Sequence, residues 1–157
     1  MLVFAVLCIL SVLCMVVIYG FSCQTAKESE PHGAVVTELV EKIVGEELHH
    51  EINNTVRKIG HFLIFALLGV LTYLAVAILG VFKDNLVPPM YVSAVLCMIY
   101  AISDEIHQTM VKGRSGRVLD VVVDTAGAVA GGLIAIFVIR ALKGMNKKNA
   151  GGEHPDA

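Results

Sequence analysis

Charged residues are scarce in this chain, and long stretches contain none. Asp, Glu, Lys and Arg make up 17% of the 157 residues, whereas a typical soluble domain has about 25%. No charged residue occurs in residues 2–21, 62–82 or 125–139. Hydrophobic residues make up 56% of the chain, and the mean hydropathy is +0.74. This composition excludes a soluble globular fold and predicts an all-α integral membrane protein.

Several signals of specific chemistry are also missing. Cys8, Cys14 and Cys97 lie inside apolar runs, and Cys23 has no partner at disulfide or metal-ligand spacing, so no thiol chemistry is predicted. The lack of a basic block argues against a nucleic-acid partner. There is no Ser-His-Asp spacing, phosphate-binding glycine loop or His-Glu-x-x-His pair. The first ten residues contain no Lys or Arg, so the first apolar run is interpreted as an uncleaved span rather than a signal peptide.

The apolar stretches predict four transmembrane helices. A helix needs about 20 residues to cross about 30 Å of hydrocarbon, because it rises about 1.5 Å per residue. One domain, residues 1–142, is predicted to contain spans at about 2–21, 59–82, 90–108 and 118–140. Residues 143–157 are polar and are predicted to form a disordered C-terminal tail.

The loop after the first span contains a helical pattern. Apolar residues recur there at three- and four-residue spacing, with Glu and Lys between them: Val36, Leu39, Val40, Ile43, Val44 and Leu48. This pattern predicts an amphipathic interfacial helix or, as the alternative, a helix that binds a partner. Asn53, Asn54 and Thr55 are predicted to cap the helix of the second span.

Four spans place both termini on one side of the membrane. The terminal side carries five Lys and Arg residues, and the other side carries seven, partly offset by seven Glu in the first loop. The positive residues of the terminal side have few acidic neighbours and lie close to span ends. This distribution favours cytoplasmic termini.

Polar residues are predicted to meet at one depth of the bundle. Because consecutive spans alternate in direction, the start of span two, the end of span three and the start of span four lie on the same side. These ends carry Arg57, Lys58, His61, Asp104, Glu105, His107, Gln108, Arg117, Asp120 and Asp124. Ionisable groups are costly inside a membrane, so such a cluster indicates a functional site. Charge pairs that only fix the helix register would give the same pattern.

One face of span four combines charge with small residues. At about 100° per residue, Arg117, Asp120, Asp124, Gly127 and Gly131 form one stripe. Gly127 and Gly131 make a Gly-x-x-x-Gly pair, which allows close helix approach within the chain or between two chains of a homodimer. The stripe is therefore predicted to point into a bundle.

Several motifs resemble those of the VanZ-like family, which is named for a teicoplanin-resistance protein. They are Phe21-Ser22-Cys23-Gln24, Lys58-Ile59-Gly60-His61-Phe62, Ser103-Asp104-Glu105-Ile106-His107-Gln108, and Gly113-Arg114 followed by Asp120 and Gly127. The resemblance covers roughly residues 20–135. It implies a bacterial membrane protein, often linked to low-level teicoplanin resistance, with no established biochemical activity. The shared polar residues of the family correspond to Lys58, His61, Asp104, Glu105, Gln108, Arg114 and Asp120.

Two functions remain open at this point. In the first, the polar residues bind a membrane lipid or lipid-linked ligand, such as an anionic lipid or a lipoglycopeptide, at the outer face. The ligand-binding set is Lys58, His61, Asp104, Glu105, Gln108, Arg114, Arg117, Asp120 and Asp124. The first function requires no cofactor, and no residue is assigned to a metal site.

In the second function, the chain is an enzyme that acts on a lipid-linked envelope substrate. The candidate catalytic residues are Glu105, Asp104 and His61, and Asp120 joins them if the reaction uses a divalent cation. An ion-coupled transporter is disfavoured, because no ionisable residue occurs between Gly127 and Ile139.

Overall fold

The chain folds into long α-helices in a computed structural model that describes residues 1–23, 46–80, 82, 85–111 and 116–150. The helices are α1 (Leu2–Cys23), α2 (Glu46–Ile78), α3 (Val87–Thr109) and α4 (Val118–Ala150). Each contains a stretch long and apolar enough to cross a membrane: Leu2–Cys23, Thr55–Ile78, Val87–Thr109 and Val118–Asn146. No strand occurs in the described residues. The prediction of an all-helical fold with four helices long and apolar enough to cross a membrane is confirmed for the described residues.

Helix α2 begins earlier than predicted. It starts at Glu46 rather than after the predicted cap at Asn53, Asn54 and Thr55, and it passes through these residues, so the predicted cap is wrong. Glu, Leu and Ile between residues 46 and 52 extend the apolar helix at low cost, because adding a residue to an existing helix is easier than starting one.

Helix α4 also continues beyond its predicted end. It runs to Ala150 instead of stopping near residue 140, so residues 143–150 are helical and the prediction of disorder is wrong there. Ala, Leu, Lys and Met follow Arg140, and these residues favour helix. Residues 151–157 lie outside the described part of the chain.

Two loop regions lie outside the described residues. The predicted amphipathic helix falls almost entirely within residues 24–45, and only its last residues belong to α2. Residues 112–115 of the basic loop before α4 are also outside.

Helices α2 and α4 pack with their backbones in direct contact. A Cβ atom at Gly127 would overlap the carbonyl oxygen of Phe62, and one at Gly131 would overlap the carbonyl oxygen of Ala66. Only glycine permits this approach, which lets the two helices pack without a side chain between them. The glycine stripe of α4 therefore points into the bundle, as predicted, and α2 of the same chain covers it.

Apolar side chains fill the rest of the bundle interior. One buried cluster lies towards the polar end and consists of Cys14, Ile18, Phe65, Leu68, Cys97, Ala101 and Ala128. A second buried cluster contains Tyr73, Ala135 and Ile136. Hydroxyl groups add interhelical hydrogen bonds: Tyr100 donates to the carbonyl of Met15 at 2.6 Å. Such bonds hold helices together in lipid, where association gains little from hydrophobic burial.

Candidate ligand site at one end of the bundle

Polar side chains from all four helices meet at one end of the bundle. The C-terminal ends of α1 and α3 lie there beside the first membrane turns of α2 and α4, as alternating spans require. We call the following residues the polar cluster: Ser22, Arg57, Lys58, His61, Asp104, Glu105, Gln108, Asp120 and Asp124. The cluster joins residues that are up to about a hundred positions apart in sequence.

Asp104 is held by the ends of two helices. Ser22 Oγ of α1 donates a hydrogen bond to Asp104 Oδ2 at 2.7 Å. Gln108 Nε2, one turn further along α3, donates to the same oxygen at 2.9 Å. Asp104 is only 3% exposed, and its other oxygen, Oδ1, is buried without a hydrogen-bond partner among the described residues. Asp104 thus has one satisfied and one unsatisfied carboxylate oxygen.

His61 and Asp124 face each other across the contact between α2 and α4. His61 Nδ1 lies 3.7 Å from Asp124 Oδ2, and their side chains are 13% and 4% exposed. A hydrogen bond between nitrogen and oxygen spans about 2.7–3.2 Å, so this pair is close but not hydrogen-bonded. Both side chains are therefore largely buried and held near each other.

Lys58 and Asp120 form a looser pair nearer the surface. Lys58 Nζ lies 3.8 Å from Asp120 Oδ1, and the Lys58 side chain is 42% exposed. An ion pair with this exposure contributes about 0–1 kcal/mol to stability. Lys58 can therefore exchange Asp120 for an anionic ligand at little cost.

Glu105 lies at the junction between α3 and α4. Its Oε1 accepts a hydrogen bond from the backbone N–H of Arg117, the residue before α4. Glu105 is 7% exposed, whereas Arg117 is exposed. Glu105 thus caps the start of α4 and lies outside the pocket described next, as Arg117 does.

A shallow, open pocket lies within the polar cluster, and its volume is about 290 Å³ when the open solvent at its mouth is counted. Its lining consists of Arg57, Lys58, His61, Gln108, Asp120, Val123 and Asp124. Two cationic side chains of α2 thus share the pocket with two carboxylates of α4. Such a lining can accept an anionic group at the cations and hydroxyl or ammonium groups at the carboxylates.

The structure brings five predicted ligand-binding residues to the pocket, namely Lys58, His61, Gln108, Asp120 and Asp124. Asp104 lies behind them, in contact with Gln108. Glu105 and Arg117 instead form the junction between α3 and α4. Arg114 belongs to residues 112–115, which lie outside the described part of the chain.

Three ligand-type side chains converge beside the pocket. His61, Asp104 and Asp124 each offer one atom, and these atoms lie within 4.8 Å of one another. They come from α2, α3 and α4, so no fixed spacing in the sequence could have predicted that they lie together. Imidazole nitrogen and carboxylate oxygen are both common ligands of divalent metal ions.

Two contributors to the cluster are absent from the predicted ligand set. Arg57 lies on the same helical face as His61, four residues later. This spacing was a reason to include Arg57 in the predicted ligand set. Ser22 carries a weaker signal, which is its place in the Phe21-Ser22-Cys23-Gln24 motif. His107 lies away from the pocket: its Nε2 is 3.3 Å from Cys23 Sγ.

Comparisons with known proteins place the chain in a protein family. No curated protein and no solved structure matches the chain. A family model described as VanZ/LLP1 matches residues 6–140, a range that includes every residue of the polar cluster and most of the described helices. The chain therefore belongs to the VanZ/LLP1 family.

Proposed function

We propose that this protein binds the head group of an anionic lipid, or of a lipid-linked envelope molecule, in the pocket of the polar cluster. It acts in the bacterial cell membrane with cytoplasmic termini, so that the pocket lies at the outer face. Through this binding it alters the tolerance of the envelope to teicoplanin-type lipoglycopeptides. The observation that carries the proposal is a pocket with both cationic and acidic side chains at the end of an apolar helix bundle.

The charge arrangement suits a phosphate-bearing head group. Arg57 and Lys58 line the same side of the pocket on α2, and guanidinium and ammonium groups form strong charge-assisted hydrogen bonds to phosphate. Asp120 and Asp124 line the α4 side and can accept hydrogen bonds from hydroxyl or ammonium groups. A head group that carries both a phosphate and free hydroxyl groups, such as phosphoglycerol, satisfies both sides at once.

The surface around the pocket suits an acyl chain. Ile59 and Leu63 of α2 are 54% and 61% exposed, and Val122 of α4 is 57% exposed. These side chains belong to the same helix segments as the pocket residues and would contact lipid in a membrane. An amphiphile can therefore keep its tail against the helices while its head group enters the pocket.

The direct test is head-group binding by the full-length protein in detergent. Titration with short-chain phosphatidylglycerol is expected to show saturable binding, and phosphatidylcholine is expected to bind more weakly. Lys58→Ala should weaken phosphatidylglycerol binding by about 10–100-fold, because a hydrogen bond to a charged group is worth about 1.5–3 kcal/mol. Lys143→Ala is the matched control, since Lys143 is exposed near the other end of α4. Equal losses in both variants would contradict the proposed pocket.

The link to antibiotic tolerance has its own test. A glycopeptide-sensitive Gram-positive host that expresses the protein should tolerate more teicoplanin, which carries a lipid tail, but no more vancomycin, which lacks one. Lys58→Ala should abolish the effect at equal expression in the membrane fraction. An unchanged response to teicoplanin would overturn the link to antibiotic tolerance. The lipid titration tests head-group binding separately.

A metal-assisted enzyme is the second candidate function. The observation that favours it is the convergence of His61, Asp104 and Asp124 next to cationic side chains, an arrangement that can position a phosphate group beside a metal ion. Its test is phosphate release from undecaprenyl phosphate or undecaprenyl pyrophosphate, with Asp124→Asn as the inactive variant. Binding without turnover would favour the first function.

A further inference from the structure

We propose that His61, Asp104 and Asp124 bind a divalent transition-metal ion within the polar cluster. The three side chains come from three helices and converge on one point. The ion would cross-link α2, α3 and α4 at the end of the bundle. This inference goes beyond head-group binding and does not depend on it.

The spacing of the donor atoms fits a shared ion. His61 Nδ1 and Asp124 Oδ2 are 3.7 Å apart, which exceeds hydrogen-bond length. Two ligands of a tetrahedral ion are about 3.4 Å apart when each metal–ligand bond is about 2.1 Å. The three ligand atoms all lie within 4.8 Å of one another. Small side-chain movements would therefore bring them close enough to bind one ion.

The unsatisfied oxygen of Asp104 is the second, independent observation. Ser22 and Gln108 both donate to Oδ2, whereas Oδ1 is buried and lacks a hydrogen-bond partner among the described residues. A buried polar atom without a partner costs about 1–3 kcal/mol. A metal ion bound at Oδ1 would remove this cost while Oδ2 keeps both of its donors.

Charge balance also favours a cation here. Asp104 and Asp124 are each 3% exposed, and a carboxylate that deep is unfavourable unless it is paired or bound to a metal. Within this group of three, His61 supplies at most one positive charge against two carboxylates, and the other cations of the pocket are Arg57 and Lys58, of which Lys58 is paired with Asp120. A divalent ion neutralises both carboxylates of the group and leaves the imidazole neutral, which is the form that binds metal.

Ser22 and Gln108 act as positioning residues for this site. Carboxylate ligands of metal ions are usually held by outer hydrogen bonds, and removing such a bond lowers metal affinity about 10–100-fold. Ser22 Oγ and Gln108 Nε2 also lie 3.3 Å apart, so the two donors hold each other in place. Asp104 is therefore oriented before any ion binds.

The mixture of donors indicates which ions fit best. Imidazole favours zinc and other later transition metals, whereas carboxylates also suit manganese and magnesium. Zn²⁺ should bind more tightly than Mn²⁺, and Mg²⁺ should bind weakly. Three protein ligands leave a coordination position open to water or to an oxygen of a bound molecule.

The test measures metal binding by the full-length protein without added lipid. The protein is purified in detergent, its affinity tag is removed, and bound metal is stripped with EDTA. Equilibrium dialysis against Zn²⁺ or Mn²⁺, followed by elemental mass spectrometry, should give about one ion per chain. His61→Ala and Asp124→Asn should each reduce affinity at least tenfold, and Ser22→Ala about 10–100-fold.

His107→Gln is the matched control, because His107 is a histidine at the same end of the bundle that contacts Cys23 instead of lining the pocket. This variant should keep its metal affinity within about threefold. Gel filtration and circular dichroism establish that each variant is folded, and His61→Gln replaces His61→Ala if the latter is not. A folded wild-type protein that takes up no more metal than its His61 variant would overturn the proposal. An equal loss in His107→Gln and Asp124→Asn would do the same.

Discussion

Glu105 on α3 accepts a hydrogen bond from the backbone N–H of Arg117, which directly precedes α4. The first N–H groups of a helix have no partner within the helix, and a carboxylate at this position also interacts favourably with the helix dipole. Gly116, just before Arg117, packs against the end of α3, since a Cβ atom at Gly116 would crowd Thr109 and the carbonyl oxygen of Glu105. Glu105 thus fixes the geometry with which α4 leaves the loop and presents its acidic residues.

Replacement of Glu105 separates a capping role from a catalytic one. Glu105→Ala leaves the N–H of Arg117 without its acceptor and should lower the free energy of unfolding by about 1–3 kcal/mol. Glu105→Gln keeps a side-chain oxygen and should lose less than half as much. Thermal unfolding in detergent, followed by circular dichroism, measures both effects. Loss of ligand binding or turnover in Glu105→Gln at unchanged stability would show that the carboxylate itself acts in the site.

Glycine substitutions in α2 test the close contact with α4. A Cβ atom at Gly69 would overlap the carbonyl of Ala128, whereas one at Gly60 meets no other group. Gly69→Ala should destabilise the bundle by about 1–3 kcal/mol through overpacking. Gly60→Ala, in the same helix, should leave stability unchanged or raise it by up to about 1 kcal/mol, because alanine favours helix. Equal unfolding temperatures for the two variants would contradict this packing.

The sequence predicted the helices and the inward face of α4 because both follow from local periodicity. Asp120, Asp124, Gly127 and Gly131 recur at helical spacing, and the structure places the two glycines against α2. Helix ends were less predictable. Glu46 begins α2, but the residues around it show no helix-start signal as clear as the apolar run that begins near residue 59.

The internal arrangement of the polar cluster was beyond sequence reasoning. The partner of Asp104 is Ser22, 82 residues away, and no pattern within either helix specifies that contact. Asp104 and Glu105 are neighbours in sequence, yet about 100° of helix rotation sends them to different partners. The sequence therefore identified most residues of the polar cluster but not which of them cap α4, pair with another side chain or line the pocket.

The Lys58–Asp120 pair is expected to matter for binding rather than for stability. Lys58 is 42% exposed, so a double-mutant cycle with Lys58→Ala and Asp120→Asn should give a coupling free energy below about 1 kcal/mol. The same Lys58 variant should lose phosphatidylglycerol affinity. Chemical denaturation of the four proteins in detergent measures the coupling. A coupling well above this value would mean that the pair holds α2 and α4 together.

Cys23 provides a test of membrane orientation. It is exposed at the end of α1 that carries the polar cluster, while Cys14 and Cys97 are buried and the half-buried Cys8 lies inside the first membrane span. If the termini are cytoplasmic, a membrane-impermeant maleimide should label intact cells at Cys23, and Cys23→Ser should abolish the labelling. In the Cys23→Ser background, Lys143→Cys near the opposite end of α4 should be labelled only after the cells are permeabilised. The reverse pattern would place the pocket in the cytoplasm, and the proposed action on a drug at the outer leaflet would then be wrong.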